Sequence, residues 1–310
     1  MIRYHKSEMA VFRFVICILC IFSVYIFSGS AFAAGENEYI NEYRLQQWMD
    51  AYIKEHNLDA DGVTFSVGYC YLDTGDEWYY NGDKWLYPAS LYKVPIAMLM
   101  AEQEASGLID QETVIGDKTV EYLESTALVY SDNDSGHAMI DYLGGGFYDK
   151  CSEQTMIYTD LPEEYYDKMF FEHSDYTARY ITKVFKKLYN DEKQFPHVIE
   201  YLKEAHPEGY GQLMADDYEK AMKYGAFTDA HNKMLNHCSG IIYTKKPIIV
   251  TIMTRQVYDF KQIMKEIGDY LVNYSQIIAN SNNYSLLEKV KASAQAGAWF
   301  WLEKPYLEKS

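Results

Sequence analysis

Apolar side chains at Leu45, Trp48, Met49 and Tyr52 recur at helical spacing and predict an amphipathic helix over 41–55. From Val63 to Leu72 the pattern alternates, with Val63, Phe65, Val67 and Tyr69 on one face. A polar turn, Asp73-Thr74-Gly75-Asp76, follows, and Glu77 to Tyr80 returns, so this stretch predicts a β-hairpin. From Pro88 to about Gly209 helical periods dominate, most clearly over Tyr176–Tyr189 and His197–Ala205, with a shorter helix over His137–Leu143. Strand signals come back at Gly240–Thr244 and, past a Lys245-Lys246-Pro247 turn, at Ile248–Met253. A last stripe runs from Val257 through Phe260, Ile263 and Ile267 to Leu271 and Tyr274, and predicts a long final helix. Strands at both ends with helices between them imply an α/β chain of the α+β type. One antiparallel sheet would be built from the two chain ends, flanked by terminal helices, with an all-helical insert over about 88–209. Residues 277–310 form a tail without a clear pattern, and its Trp299 and Trp301 are expected to dock on the chain's own domain.

The first residues follow a different logic. Arg3, Lys6 and Arg13 precede a charge-free run from Phe14, which closes on Ala31-Phe32-Ala33. Basic start, apolar run and small residues at the exit predict a signal peptide over 1–33, cleaved after Ala33. The run is nearly long enough to span a bilayer, so an uncleaved anchor is the alternative, and the only route to membrane contact. The domain proper is expected over 34–276, exported to a secreted or cell-surface location. Cys17 and Cys20 fall in the leader. Cys70, Cys151 and Cys238 remain, an odd number with no framework spacing, and read as small buried hydrophobes.

The chain has 310 residues, 48% of them hydrophobic and 24% charged, as in ordinary globular proteins. Its formal net charge of −17 opposes phosphate backbones, which excludes nucleic acid as an expected partner. A small molecule is not excluded, because a local pocket can oppose the global sign. A monomer is expected. His231, His237 and Cys238 cluster without zinc-ligand spacing and read as core or surface residues. Gly144-Gly145-Gly146 follows a helix and reads as its cap and loop. No metal or cofactor is expected.

Chemistry concentrates in three short motifs. In Ser90-Leu91-Tyr92-Lys93, serine and lysine are one helical turn apart and face the same way. A serine needs a base within hydrogen-bond reach, and a desolvated lysine can be that base. A helix start also points backbone N–H groups at a developing oxyanion. Ser131-Asp132-Asn133 comes next, in a polar loop before a helix, and Lys223-Tyr224-Gly225 lies just before the returning strands. Each alone has an ordinary structural explanation, a cap, a turn or an edge-strand lysine. Their order does not.

Together the motifs resemble the class A β-lactamase-like branch of the penicillin-recognising serine hydrolases, which carry S-x-x-K, S-D-N and K-[TS]-G in this order. The run Pro88–Asp110 resembles that family's nucleophile helix, Asp175–Tyr180 its helix after the active-site loop, and Gly240–Thr254 its last strand pair. The resemblance extends over roughly 38–276. It implies β-lactam hydrolysis through an acyl-enzyme on Ser90, with Lys93 as proton acceptor and Ser131 relaying the proton to the leaving nitrogen. It further implies that Asn133 binds the substrate amide and holds Lys93. Lys223 would lend positive charge to the substrate carboxylate, Gly225 would line the cleft, and the N–H groups of Ser90 and Ala226 would form the oxyanion hole. The implied partner is a small molecule, a β-lactam or a cell-wall peptide.

Two departures keep other readings open. Tyr224 stands where the family has Thr or Ser, leaving Thr228 as the alternative hydroxyl. The deacylating E-x-x-L-N loop is missing. Glu163 and Glu164 lie near its place, with Glu164 the preferred base and Glu172 a weaker candidate. A penicillin-binding carboxypeptidase or transpeptidase, or another acyl hydrolase that deacylates slowly, is therefore the alternative. A non-catalytic wall-binding or sensor domain is the alternative from another class.

Overall fold

A computed structural model describes residues 44–144, 156, 158–162, 165, 175–205 and 214–281. Residues 51–280 make up one unit; a second joins 1–50 to 281–310, and only 44–50 and Ser281 of it are described. In chain order the described elements are α1 (44–55), β1 (Thr64–Tyr71), β2 (Asp76–Tyr80) and a 3-10 turn at Ala89–Tyr92 that runs into α2 (Lys93–Ala105). A two-stranded ribbon, β3 (Val114–Ile115) and β4 (Lys118–Thr119), precedes α3 (Val120–Val129) and α4 (Asn133–Tyr142). Helices α5 (Ala178–Asn190) and α6 (Val198–Glu204) follow. Strands β5 (Lys220–Thr228), β6 (Met234–Ile242) and β7 (Ile248–Arg255) and helix α7 (Phe260–Ser281) complete the order.

The sheet has five antiparallel strands in the order β2-β1-β7-β6-β5. Its central strand, β7, pairs with β1, so the two chain ends do meet in one sheet, as the pattern of strands predicts. Strand β1 alternates in sequence, yet all of it after Thr64 is buried. The reason is that both faces are covered. On one face α5 lies so close that a Cβ on Gly68 would sit 2.2 Å from Thr182 Oγ1. On the other, the rings of Tyr69 and Tyr274 of α7 meet at 5.8 Å.

The α5 face carries a row of polar groups set by register. Gly68 pairs with Thr251, Thr251 with Ser239 and Ser239 with Lys223. Thr182 donates to Thr251 at 2.8 Å, and the Thr251 and Ser239 hydroxyls meet at 2.7 Å. These buried hydroxyls satisfy one another, as buried polar groups must. The row ends at Lys223, which therefore points to the helical side of the sheet.

Several boundaries differ from the sequence reading. Strand β5 was not anticipated as an element of its own, because it carries polar and exposed residues at the sheet edge. Strand β6 begins at Met234, ahead of the apolar run at Gly240. Helix α4 begins at Asn133 rather than His137, since the Asp132 side chain caps it by accepting from Ser135 N–H at 2.8 Å. The β3–β4 ribbon interrupts the helical insert. Helix α7 continues past Ile277 to Ser281. Cys70 and Cys238 are free and buried; Cys151 lies outside the described residues.

Among the described residues of the helical part, half-buried Glu104 and buried Glu124 form an acidic pair. Gln111 Nε2 donates to Glu104 at 2.6 Å and to Glu124 at 3.0 Å, and Tyr201 donates to Gln111 Oε1 at 2.9 Å. Glu124 is fully buried, and burial followed by the adjacent Glu104 carboxyl pushes its pKa well up. The remaining oxygen of each carboxyl is buried with no hydrogen-bonding heavy-atom donor. Two carboxylates cannot share such a site, so the pair holds a proton at neutral pH.

Candidate active site

The nucleophile candidate sits in a strained turn. Ala89, directly before Ser90, has φ of 47°, a conformation that costs a non-glycine residue roughly 1–2 kcal/mol. Strand β5 presses on this turn: a Cβ on Gly225 would lie 2.9 Å from Ser90 N and 3.0 Å from Pro88 O. Only a glycine allows that approach. Ser131 is strained as well, with φ of 61°, in the short link between α3 and α4. The link is held by Asp132 N–H donating to Thr126 O at 3.0 Å and by the Asp132 cap.

Lys93, the first residue of α2, is fully buried between these turns. Its Nζ lies 2.6 Å from Ser131 O, 2.8 Å from Asn133 Oδ1, 3.0 Å from Ser90 Oγ and 3.5 Å from Ser131 Oγ. The Ser131 and Asn133 oxygens can only accept. They take two N–H groups of the amine, and the remaining position faces the Ser90 hydroxyl. Burial pushes the Lys93 ammonium down to about 8, with Asp132 opposing the shift. A neutral amine therefore becomes accessible near neutral pH, its lone pair aimed at Ser90 Oγ.

Lys223 of β5 is also fully buried and donates to Ser131 Oγ at 2.8 Å and to Tyr224 O at 3.2 Å. Burial, then the nearby Lys93, holds its pKa well below the ordinary lysine value. The Tyr224 ring centroid lies 4.3 Å from the same Nζ. Ser131 Oγ thus sits between the two lysines. This arrangement can deprotonate a serine and pass a proton to a leaving group.

Ser90, Lys93, Ser131, Asn133 and Lys223 are brought together through the bonds above, and Gly225 abuts Ser90. Ala226 and Thr228 are exposed on β5 beyond that contact. Glu163, Glu164 and Glu172 lie outside the described residues. Sequence reasoning passed over Gly136, where a Cβ would lie 2.8 Å from Tyr92 Oη and 3.0 Å from Lys93 Cε. A glycine inside a helix was the available signal. It also passed over the rings of Tyr87 and Phe227, 4.9 Å apart and 42% and 44% exposed, on the segments carrying Ser90 and Ala226.

A sequence profile of the beta-lactamase enzyme family matches residues 45–275. The chain belongs to the beta-lactamase enzyme family. Among curated proteins no sequence match is found. The solved structures that resemble this β-lactamase-family chain include a beta-lactamase from Chitinophaga pinensis DSM 2588. It has a TM-score of 0.57 at 15% identity, covering 73% of this chain and 97% of that one. A beta lactamase from Burkholderia vietnamiensis has a TM-score of 0.58 at 14% identity, covering 71% and 93%. An ancestral class A β-lactamase has a TM-score of 0.55 at 15% identity, covering 74% and 97%. At these identities the likeness is one of fold, and the fold is that of the class A enzymes.

Proposed function

We propose that this β-lactamase-family chain is a serine acyl-transfer enzyme that opens β-lactam rings through an acyl-enzyme on Ser90. The observation that carries the reading is the convergence of Ser90 Oγ, two buried lysines and Ser131 Oγ within hydrogen-bond reach. Ser90 Oγ forms a bond to the lactam carbonyl carbon while its proton moves to Lys93 Nζ. The C–N bond then breaks, and Ser131 hands a proton to the leaving nitrogen, resupplied from the lysine side. Asn133 holds Lys93 in place and faces the substrate amide. The N–H groups of Ser90 and Ala226 stabilise the oxyanion.

Slow release of the acyl group is the favoured form of this activity. Hydrolysis of the ester needs a carboxylate that holds a water, and no E-x-x-L-N segment is present to fix one. Glu164 is the proposed base. The reading includes export, with 1–33 as a cleaved leader, which N-terminal sequencing of the secreted chain tests. Fluorescent penicillin should label the purified protein, Ser90→Ala should abolish the label, and intact-protein mass spectrometry should show a persistent adduct. Absence of both adduct and turnover would favour a binding domain. Rapid turnover abolished by Glu164→Gln would instead establish an efficient β-lactamase.

A further inference from the structure

His237 lies on β6, fully buried, directly opposite Gly225 of β5 and Met253 of β7. It shares a face with Gly225, the face pressed against the turn that carries Ser90. Its Nδ1 is 3.1 Å from Thr254 N, and its Nε2 is 2.9 Å from the carbonyl oxygen of Tyr87. The Thr254 amide can only donate and the Tyr87 carbonyl can only accept. The two bonds therefore select one form of the ring: neutral, with the proton on Nε2. Burial favours the neutral ring, pushing the imidazolium down to about 4 against the opposing pull of the Tyr87 and Asn236 backbone.

Tyr87 is the entry to the Pro88-Ala89-Ser90 turn. That turn holds Ala89 in the left-handed region, and strained backbone of this kind persists only where its surroundings over-determine it. Gly225 supplies pressure from β5. The imidazole supplies an anchor from the neighbouring strand, so the turn is held by two adjacent strands at once. Deleting the Tyr87 bond removes one restraint at the entry of the turn, which bears on the aim of both Ser90 Oγ and the Ser90 N–H.

We propose that His237 is a positioning residue for Ser90: through its Nε2–H it fixes the Tyr87 carbonyl and with it the approach of the nucleophile to Lys93. The proposal rests on Ser90 being the acylated residue. His237→Gln places an amide donor near the position of Nε2. His237→Asn keeps an acceptor for Thr254 N–H near the position of Nδ1 and loses the Tyr87 bond. Labelling rates with fluorescent penicillin are compared at a temperature where circular dichroism shows both variants folded. We expect His237→Asn to label at least about tenfold more slowly than the wild type, and His237→Gln within roughly threefold of it, at similar melting temperatures. Equal labelling by His237→Asn and the wild type overturns the proposal. So does a His237→Gln variant as slow as His237→Asn.

A second measurement needs no variant. Nitrogen NMR of the histidine-labelled wild type should show His237 protonated on Nε2 alone; an Nδ1–H or doubly protonated ring overturns the proposal even if the variants fail to fold. A wild type that penicillin does not label overturns the acylation reading, and the tautomer measurement still reports on the anchor.

Discussion

Two pairs of like charge, each with a member on α2 and one pair near either end of it, end in opposite roles. Lys93 and Lys223 are both fully buried, and burial lowers both pKa values. Glu104 and Glu124 share the amide of Gln111, and burial raises Glu124. The physics is the same: an interior of low dielectric favours the neutral forms of Lys93, Lys223 and Glu124. The surroundings differ. The lysines touch Ser90 and Ser131, in backbone that is strained at Ala89 and Ser131. The glutamates meet each other and Gln111, and through it Tyr201. A shifted pKa therefore marks a buried charge, and a reactive site is marked only where that charge meets a nucleophile.

The largest expected effect comes from removing the lysine nearest Ser90. Lys93→Met should slow penicillin labelling by about 100- to 10,000-fold, the usual worth of a general base. The same change should stabilise the fold at pH 7, by up to roughly 3 kcal/mol, because a buried amine is replaced by an apolar chain. The sign of its pH dependence is fixed. The native lysine loses its proton near 8 and the unfolded one near 10.5, so the wild type gains stability as pH rises through that window. The advantage of Lys93→Met should be full below about 8 and gone above 10.5. Urea unfolding at pH 7 and 10.5 checks it, and a variant less stable than wild type at pH 7 would break the parallel between the pairs.

In the wild type, labelling should rise as the Lys93 ammonium loses its proton, with a midpoint near 8. A labelling rate that falls across the same range would move the base elsewhere. Glu124→Gln should show the opposite pH trend in stability. The native pair holds its proton where the unfolded glutamate, with an ordinary value of 4.5, has lost it. The gain from Glu124→Gln should thus be absent near pH 4.5 and grow as pH rises, with labelling unchanged; thermal melts from pH 4.5 to 9 read it. The smallest effect is expected from Tyr201→Phe. It removes one bond to Gln111 and should cost about 1 kcal/mol by urea unfolding. A loss of labelling in either of these variants would tie the acidic pair to the active cleft.

Much of the architecture was legible in the chain. The alternation at Val63–Leu72, the apolar run at Ile248–Met253 and the stripe from Phe260 are properties of neighbouring residues and of backbone period, so β1, β7 and α7 followed from them. The order of the Ser90, Ser131 and Lys223 motifs pointed to one site before any distance was known. Strand β5 was less legible because this edge strand mixes buried and exposed positions. The true start of α4 hid in a polar loop because Asp132, a capping residue, looks like a turn in isolation.

Other features belong to tertiary structure alone. Lys93 and Lys223 read in sequence as polar residues, and only packing from α4, β5 and the turn at Ala89–Tyr92 strips them of water. Gly225 and Gly136 look like any glycine until the backbone or side chain opposite each is in place. His237 reads as one histidine in a loose cluster, and its single tautomer follows from Thr254 and Tyr87, one on the next strand and one far back in the chain. Sequence alone determined which chemical groups were available and which elements carried them, because those depend on residue type and local period. The protonation of those groups and the distances between them were decided by the fold, because desolvation and contact are set by neighbours remote in sequence.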